Sequence, residues 1–241
     1  MTDFTNVYDD ATRAEAYDKL EFPGTYYLAY RDLPAIFEKH ATGRAALDFG
    51  CGTGRSTRFL KRHGFDAVGV DISEEMVRRA RERDAEGDYR VVADGDLASL
   101  PPNAFDLALA AFTFDNIPTE TLKTSLFAQL GRVINARGRI VALVSSPEIY
   151  THEWASFTTK DFPENARAKA GDTVKIIMTD VEDRRPVEDV VWPEADYRRV
   201  FAAAGLAVVD VHRPLGLASE PFAWVSETTV APWTIYTLRK G

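Results

Sequence analysis

Residues 47–56 read LDFGCGTGRS, with Gly50, Gly52 and Gly54 crowded between a short apolar run and a helical pattern. Residues without a Cβ let a chain turn tightly or lie against a ligand. A strand that ends in glycines opening a helix brings backbone N–H groups and a helix N-terminus to that ligand. The spacing narrows the choice. A dinucleotide fingerprint has its third glycine five residues after its first, where this chain has Arg55, so the pattern is GxGxG. No Gly-Lys-Ser or Gly-Lys-Thr follows, which excludes a Walker-type phosphate loop. The next apolar run ends VGVDIS and places Asp71 at 21 residues after Gly50 (71 − 50). A carboxylate at such a strand end can accept both hydroxyls of a ribose. Asp71 could also cap a helix beginning near Ser73, whose first turn carries Glu74 and Glu75, and the two roles are compatible. A third run ends VVADGDLASLP, where Asp96 could accept an adenine amino group and the Leu97 backbone could read the ring edge; Asp94 reads as a turn residue. The ligand so described is an adenosine without a pyrophosphate.

The elements that must hold these residues are legible as alternating patterns. From 44 to 146 short apolar runs (RAALDF, DAVGVD, YRVVAD, FDLALAAF, GRIVALVSS) alternate with helical stretches such as GRSTRFLKRHG and SEEMVRRARERD. That alternation predicts an α/β fold with a doubly wound, mostly parallel sheet. Residues 1–43 read as an N-terminal helical cap, with Tyr26, Ala29, Tyr30, Leu33, Ile36 and Phe37 on one stripe and a break at Pro34. Residues 147–192 interrupt the alternation with two strand-like runs, VKIIMTD and VEDVVW, and read as a lid inserted over the open end of the sheet. Residues 193–241 resume with the helix EADYRRVFAAAG, stopped at Gly205, and two further strands.

Composition bounds the partners. The 241 residues are 45% hydrophobic and 11% aromatic, ample for a packed core. A net charge of −8 argues against nucleic acid, whose binding is carried by Lys and Arg on phosphates. With Cys51 the single cysteine, no intrachain disulfide or multi-cysteine metal site can form. The start, MTDFTNVYDD, is acidic where a secretory signal would be basic and then apolar, and no run approaches the roughly 20 apolar residues of a membrane span. A cytoplasmic protein with a small-molecule partner, no metal, no membrane and no nucleic acid is expected; oligomeric state is not legible.

In order along 45–145, several pieces resemble the class I S-adenosylmethionine-dependent methyltransferases, especially those that act on small molecules: LDFGCGTG, VGVDIS, GDLASLP, FDLALAAFTFDNIP and LGRVINARGRIVAL. Two departures are ARG where the family often has Pro-Gly-Gly, and FDN where many members carry a histidine pair. The resemblance implies a seven-strand Rossmann-like sheet and S-adenosylmethionine as cofactor, with S-adenosylhomocysteine as product. It places Gly50 and Gly52 against methionine and ribose, with Cys51 between them in the loop and Asp48 supporting it. It gives Asp71 the ribose, packs Ile72 on adenine, and sets Asp96 and Leu97 at the adenine edge. Ala111 and Phe112 would flank the methionine, and Tyr17 in AEAYD would close over it. A nicotinamide-dependent oxidoreductase and a non-catalytic binder of the same cofactor are the competing readings. The absence of an Asn/Asp-Pro-Pro-aromatic motif further disfavours nucleic-acid amine methylation.

The implied reaction is in-line attack by an acceptor O, N or C atom on a sulfonium methyl. Because that donor is already activated, positioning and exclusion of water can supply much of the acceleration. His152, after the fifth strand, is the candidate general base, with an exposed loop histidine as the alternative. Tyr26, Tyr27, Trp154, Phe157, Phe222 and Trp224 could line an acceptor pocket or simply pack.

Overall fold

The computed structural model describes residues 23–241. Two short helices, α1 (Thr25–Arg31) and α2 (Leu33–His40), precede β1 (Ala45–Phe49). Then follow α3 (Arg55–Arg62), β2 (Asp66–Asp71), α4 (Glu74–Arg83), β3 (Asp88–Val91), β4 (Phe105–Ala111), α5 (Glu120–Val133) and β5 (Ile134–Ser145). The segment between β5 and α6 (Glu194–Ala203) carries β6 (Phe157–Thr158), β7 (Thr173–Met178) and β8 (Val187–Val190). β9 (Leu206–His212) and β10 (Trp233–Lys240) complete the main sheet. Its seven strands run β3-β2-β1-β4-β5-β10-β9. β1 to β5 pair in parallel, and β10 is antiparallel to both neighbours. The expected doubly wound sheet is present, with both strand-like runs of the insertion forming β7 and β8 of a separate antiparallel sheet.

Local sequence explains the main boundaries. Gly54 opens α3 at φ 83°, a left-handed conformation that glycine adopts without a Cβ clash. Ser73 caps α4 by accepting the Met76 N–H, with Glu74 and Glu75 in the first turn favouring the helix dipole. Thr119 caps α5 in the same way through the Leu122 N–H. The break in the N-terminal helices falls at Asp32, not at Pro34. Pro34 sits in the first turn of α2, where a missing N–H costs no intrahelical bond.

Alternation along the strands divides the core between the two faces of the sheet. On one face Ala46, Leu107, Leu109, Val141 and Leu143 pack with α1, α2, α3 and the inserted sheet. On the other, Leu47, Phe49, Ala108 and Ala142 pack against α5 and α6. The insertion is therefore built into a core shared with the N-terminal helices. Fully buried Glu227 ties three segments together: its Oε1 accepts the Thr25 hydroxyl and the Ala155 N–H, each at 2.7 Å, and its Oε2 accepts the Val225 N–H at 2.8 Å. Thr25 and Ser156 also exchange backbone-to-side-chain bonds, and the Trp233 indole donates to the Thr25 carbonyl. Among the described residues no helix is long and apolar enough to cross a membrane.

Candidate functional site

The strand order reverses between β1 and β4, and in an open α/β sheet ligands sit beyond the carboxyl ends of the strands at such a point. A cavity of about 420 Å³ opens there. Its walls come from the ends of four strands: Gly50 to Thr53 after β1, Asp71 and Ile72 at β2, Asp94 and Gly95 after β3, and Ala111 to Thr113 at β4.

The glycine loop owes its shape to hydrogen bonds from below. Gly50 and Cys51 donate N–H bonds to the Val70 carbonyl, and the Thr113 hydroxyl donates to the Phe49 carbonyl. A Cβ on Gly50 would lie 2.3 Å from the Thr113 hydroxyl oxygen, so this position excludes any side chain. At Gly52 the geometry is the opposite. Its φ of 52° favours glycine, yet nothing lies within 4 Å of the place a Cβ would take, and the vacant volume belongs to the cavity. Asp71 holds that loop, since its Oδ2 accepts the Gly52 N–H at 2.8 Å and its Oδ1 accepts the Ser73 N–H at 3.0 Å. The carboxylate thus braces the loop and the start of α4 while still lining the cavity.

Asp48 lies beneath the loop, fully buried and outside the cavity lining. Its Oδ2 accepts the Ser56 and Thr57 hydroxyls at 2.7 and 2.6 Å, whereas its Oδ1 has no partner. Burial pushes its carboxyl up to about 6, helped by the negative charge of Asp71. Burial likewise pushes the Cys51 thiol well above its ordinary value, which leaves it a small packing group at the cavity floor.

Among the other expected residues, Ile72, Ala111 and Phe112 line the cavity and Asp96 and Leu97 do not. Leu97 is wholly buried, and its N–H is taken by the Gln129 Oε1 at 2.7 Å. Asp96 is exposed and accepts the Ala98 N–H. Asp94 and Gly95 stand in their place. Asp94 has φ 51°, rare for a side-chain-bearing residue, and this turn presents it to the cavity. The Asp-Gly dipeptide is the turn signal that could have found it. Phe112, at φ 63°, is a second left-handed residue in the cavity wall. Backbone strain of this kind concentrates at binding sites. Arg55, in the first turn of α3, also lines the cavity, its guanidinium 5.3 and 5.5 Å from the ring centroids of Tyr26 and Tyr30. Tyr17 lies outside the described residues.

A second, smaller cavity of about 30 Å³ lies against the inserted sheet and shares Phe112 and Asn116 in its lining with the first. Tyr26 and Phe157 are among its walls, as the aromatic pattern allowed. Trp154 is buried, with its indole N–H on the Ile149 carbonyl, while Phe222 and Trp224 pack with Tyr27 away from both cavities. His152 is in neither lining. Its Nδ1 lies 3.0 Å from the Glu148 carbonyl oxygen and 3.1 Å from the Thr151 hydroxyl, a turn of its own. Among the described residues no group of three or more His, Cys, Asp and Glu is placed to hold a metal.

A strand-end cavity at the switch point, with a glycine loop on one side and an acidic strand end on the other, defines the nucleoside-binding class of doubly wound α/β proteins. Residues 46–138 match a family model described as a methyltransferase domain. In this segment and in its fold the chain is similar to the class I S-adenosylmethionine-dependent methyltransferases, and S-adenosylmethionine is the cofactor that this fold implies. It is 30% identical over 136 residues to an uncharacterized methyltransferase of Geobacillus thermodenitrificans, covering 53% of this chain and 61% of that one. It is 31% identical over 137 residues to a ubiquinone biosynthesis O-methyltransferase of Methylococcus capsulatus, covering 48% and 57% respectively. The chain thus spans about 60% of the length of these relatives. A crystal structure of an S-adenosylmethionine-dependent methyltransferase from Methanosarcina mazei superposes with a TM-score of 0.62 at 13% identity, over 85% of this chain and 96% of the other, a likeness of fold.

Proposed function

We propose that the protein transfers a methyl group from S-adenosylmethionine to an O, N or C atom of a small molecule. The observation that carries this reading is the strand-end cavity between the glycine loop and Asp71, beside which a smaller cavity shares Phe112 and Asn116 in its lining. The larger has room for an adenosine with an amino-acid tail, and the volume left open at Gly52 suits a ligand lying against backbone. Gly50 and Gly52 would take the methionine and ribose side, Asp71 the ribose hydroxyls and Ile72 the adenine face. Asp94 and Gly95 would meet the adenine edge. Arg55 is placed to meet the methionine carboxylate, and Asp71, backed by Asp48, adds negative charge to a site whose ligand is cationic.

When bound, the cofactor supplies a methyl group on a sulfonium, a leaving group that needs no protonation. The chain's part is to hold the acceptor in line and to exclude water. The cap helices and the inserted segment close the smaller cavity, which supports assigning it to the acceptor. Titration calorimetry tests the assignment: S-adenosylmethionine and S-adenosylhomocysteine should bind, and NAD and ATP should not bind comparably. NAD binding as tightly as the methyl donor would refute it.

A further inference from the structure

The hydrogen bonds beneath the glycine loop leave one carboxylate oxygen unanswered. Two hydroxyls from the first turn of α3, Ser56 at 2.7 Å and Thr57 at 2.6 Å, donate to the same oxygen of Asp48, Oδ2. Oδ1 has no partner, although the residue is fully buried. A buried carboxylate served on one oxygen alone is costly in its charged form. Its cross-strand neighbours, Gly69 on β2 and Leu109 on β4, bring no charge. Cys51, in the loop above, keeps its thiol proton, because burial pushes it well above its ordinary value. The charges that reach Asp48 are those of Asp71, at the end of β2, and Arg55, at the start of α3. Burial is the largest influence and pushes the carboxyl up to about 6; the two hydroxyls and Arg55 draw it back, while Asp71 adds to burial.

Ser56 connects this carboxyl to the ligand. It lines the larger cavity beside Arg55, whereas Asp48 does not. A hydroxyl has one proton to give and lone pairs with which to accept. With its proton committed to Asp48, the Ser56 Oγ can only accept from a ligand, and a cationic N–H is the strongest donor it can meet. Arg55, the preceding residue, suits a carboxylate. Side by side, the two residues match the two charged groups of an amino-acid tail.

We infer that Ser56 accepts a hydrogen bond from the ammonium of the ligand's amino-acid tail, and that loading the ligand drives the proton of Asp48 out to solvent. The inference rests on the methyltransferase reading above and assigns to Ser56 the charged group of the cofactor that Arg55 does not take. Ser56 touches the ligand; Asp48 acts through it as a positioning residue. The balance is one neutral carboxyl and one ammonium ligand giving a carboxylate and an ammonium bridged by the hydroxyl, with one proton released to water. Because a protonated Asp48 must first lose that proton, binding weakens as pH falls through about 6 and is strongest above it.

The test is titration calorimetry of the full chain at pH about 6 and about 7.5, each in two buffers of different ionisation enthalpy so that released protons are counted. The probes share a nucleoside and a thioether: S-adenosylhomocysteine, its decarboxylated analogue, which keeps the amine, and 5′-methylthioadenosine, which has no amine. At pH about 6 the two amines should each release roughly 0.4 of a proton, and at pH about 7.5 less than about 0.1, whereas 5′-methylthioadenosine should release none. Ser56→Ala should weaken both amines about tenfold, and Asp48→Asn should abolish the release. Should Asp48→Asn fail to fold, Ser56→Ala and the proton count of the unaltered protein carry the test. The inference is overturned if S-adenosylhomocysteine binds at pH about 6 without releasing a proton, or if 5′-methylthioadenosine releases as much. It is equally overturned if release persists in folded Asp48→Asn, or if Ser56→Ala binds the amines unchanged. Failure of S-adenosylhomocysteine itself to bind would overturn the broader reading, and this inference with it.

Discussion

Asp71 has two tasks that one substitution exposes together. Its oxygens accept the N–H groups of Gly52 and Ser73, and the same carboxylate faces the ligand cavity. Hydrogen bonds to a charged acceptor contribute about 1.5–3 kcal/mol, so Asp71→Ala should weaken cofactor binding at least about tenfold and lower the melting temperature as well. Calorimetry of the folded variant separates the two, because an unchanged dissociation constant would leave only the bracing role. Asp96→Ala, by contrast, should leave cofactor affinity unchanged, while Asp94→Ala should reduce it. Only Gly95 separates these aspartates, and the left-handed conformation of Asp94 and Gly95 puts the first in the cavity wall and leaves the second outside it, a difference of backbone that residue types alone do not reveal. The glycine loop and Asp71 were legible because each depends on a few consecutive residues. Asp48 makes a prediction about pH. Its folded-state value of about 6 stands above the unfolded value near 3.8, so between about pH 4 and pH 6 the native state holds a proton that the unfolded chain has lost. Stability from this group therefore falls as pH rises through that window, by about 3 kcal/mol in all, and is recovered on acidification. Denaturant unfolding should find Asp48→Asn more favourable relative to wild type at pH about 7.5 than at pH about 5, by about 1 kcal/mol. A difference independent of pH would mean that Asp48 is ionised throughout.

At the level of elements, the insertion divides into parts with different expected effects. Phe157 on β6 lines the smaller cavity, whereas His152 occupies a turn outside it. Phe157→Leu, chosen to limit the core cost of a truncation, should impair turnover more than cofactor affinity. His152→Ala should leave turnover near normal, and a large loss would restore His152 as the base. Both expectations are checked by measuring turnover beside a cofactor titration. The strands of the insertion were readable from their apolar runs, and the alternating core of the main sheet was readable in the same way. The smaller cavity was not. Tyr150 and Asp189 meet across 39 positions of sequence, and the ring wall draws on α1, β6, β10 and the end of β4, so no local pattern could assemble it. The FDN departure was a local hint, since Asp115 and Asn116 both prove to face that cavity.

Across the whole molecule, the two faces of the sheet carry different burdens. One is closed by α5, α6 and the loops around them, while the other supports the cap helices, the inserted sheet and the smaller cavity. The junction on that second face is Glu227, whose carboxylate joins Thr25, Ala155 and Val225 out of reach of water. Three segments far apart in the chain share one acceptor group, so none can leave without stranding a buried carboxylate. They should behave as one cooperative unit of local unfolding. In native-state hydrogen exchange the amides of Thr25, Ala155, Ser156 and Val225 should show a common opening free energy and a common denaturant slope, and Glu227→Gln should lower it for all four together. Independent slopes would mean that the segments move separately. A shared slope carries a kinetic corollary: where product escape limits turnover, traces of urea too dilute to unfold the protein would speed the enzyme up before they slowed it down.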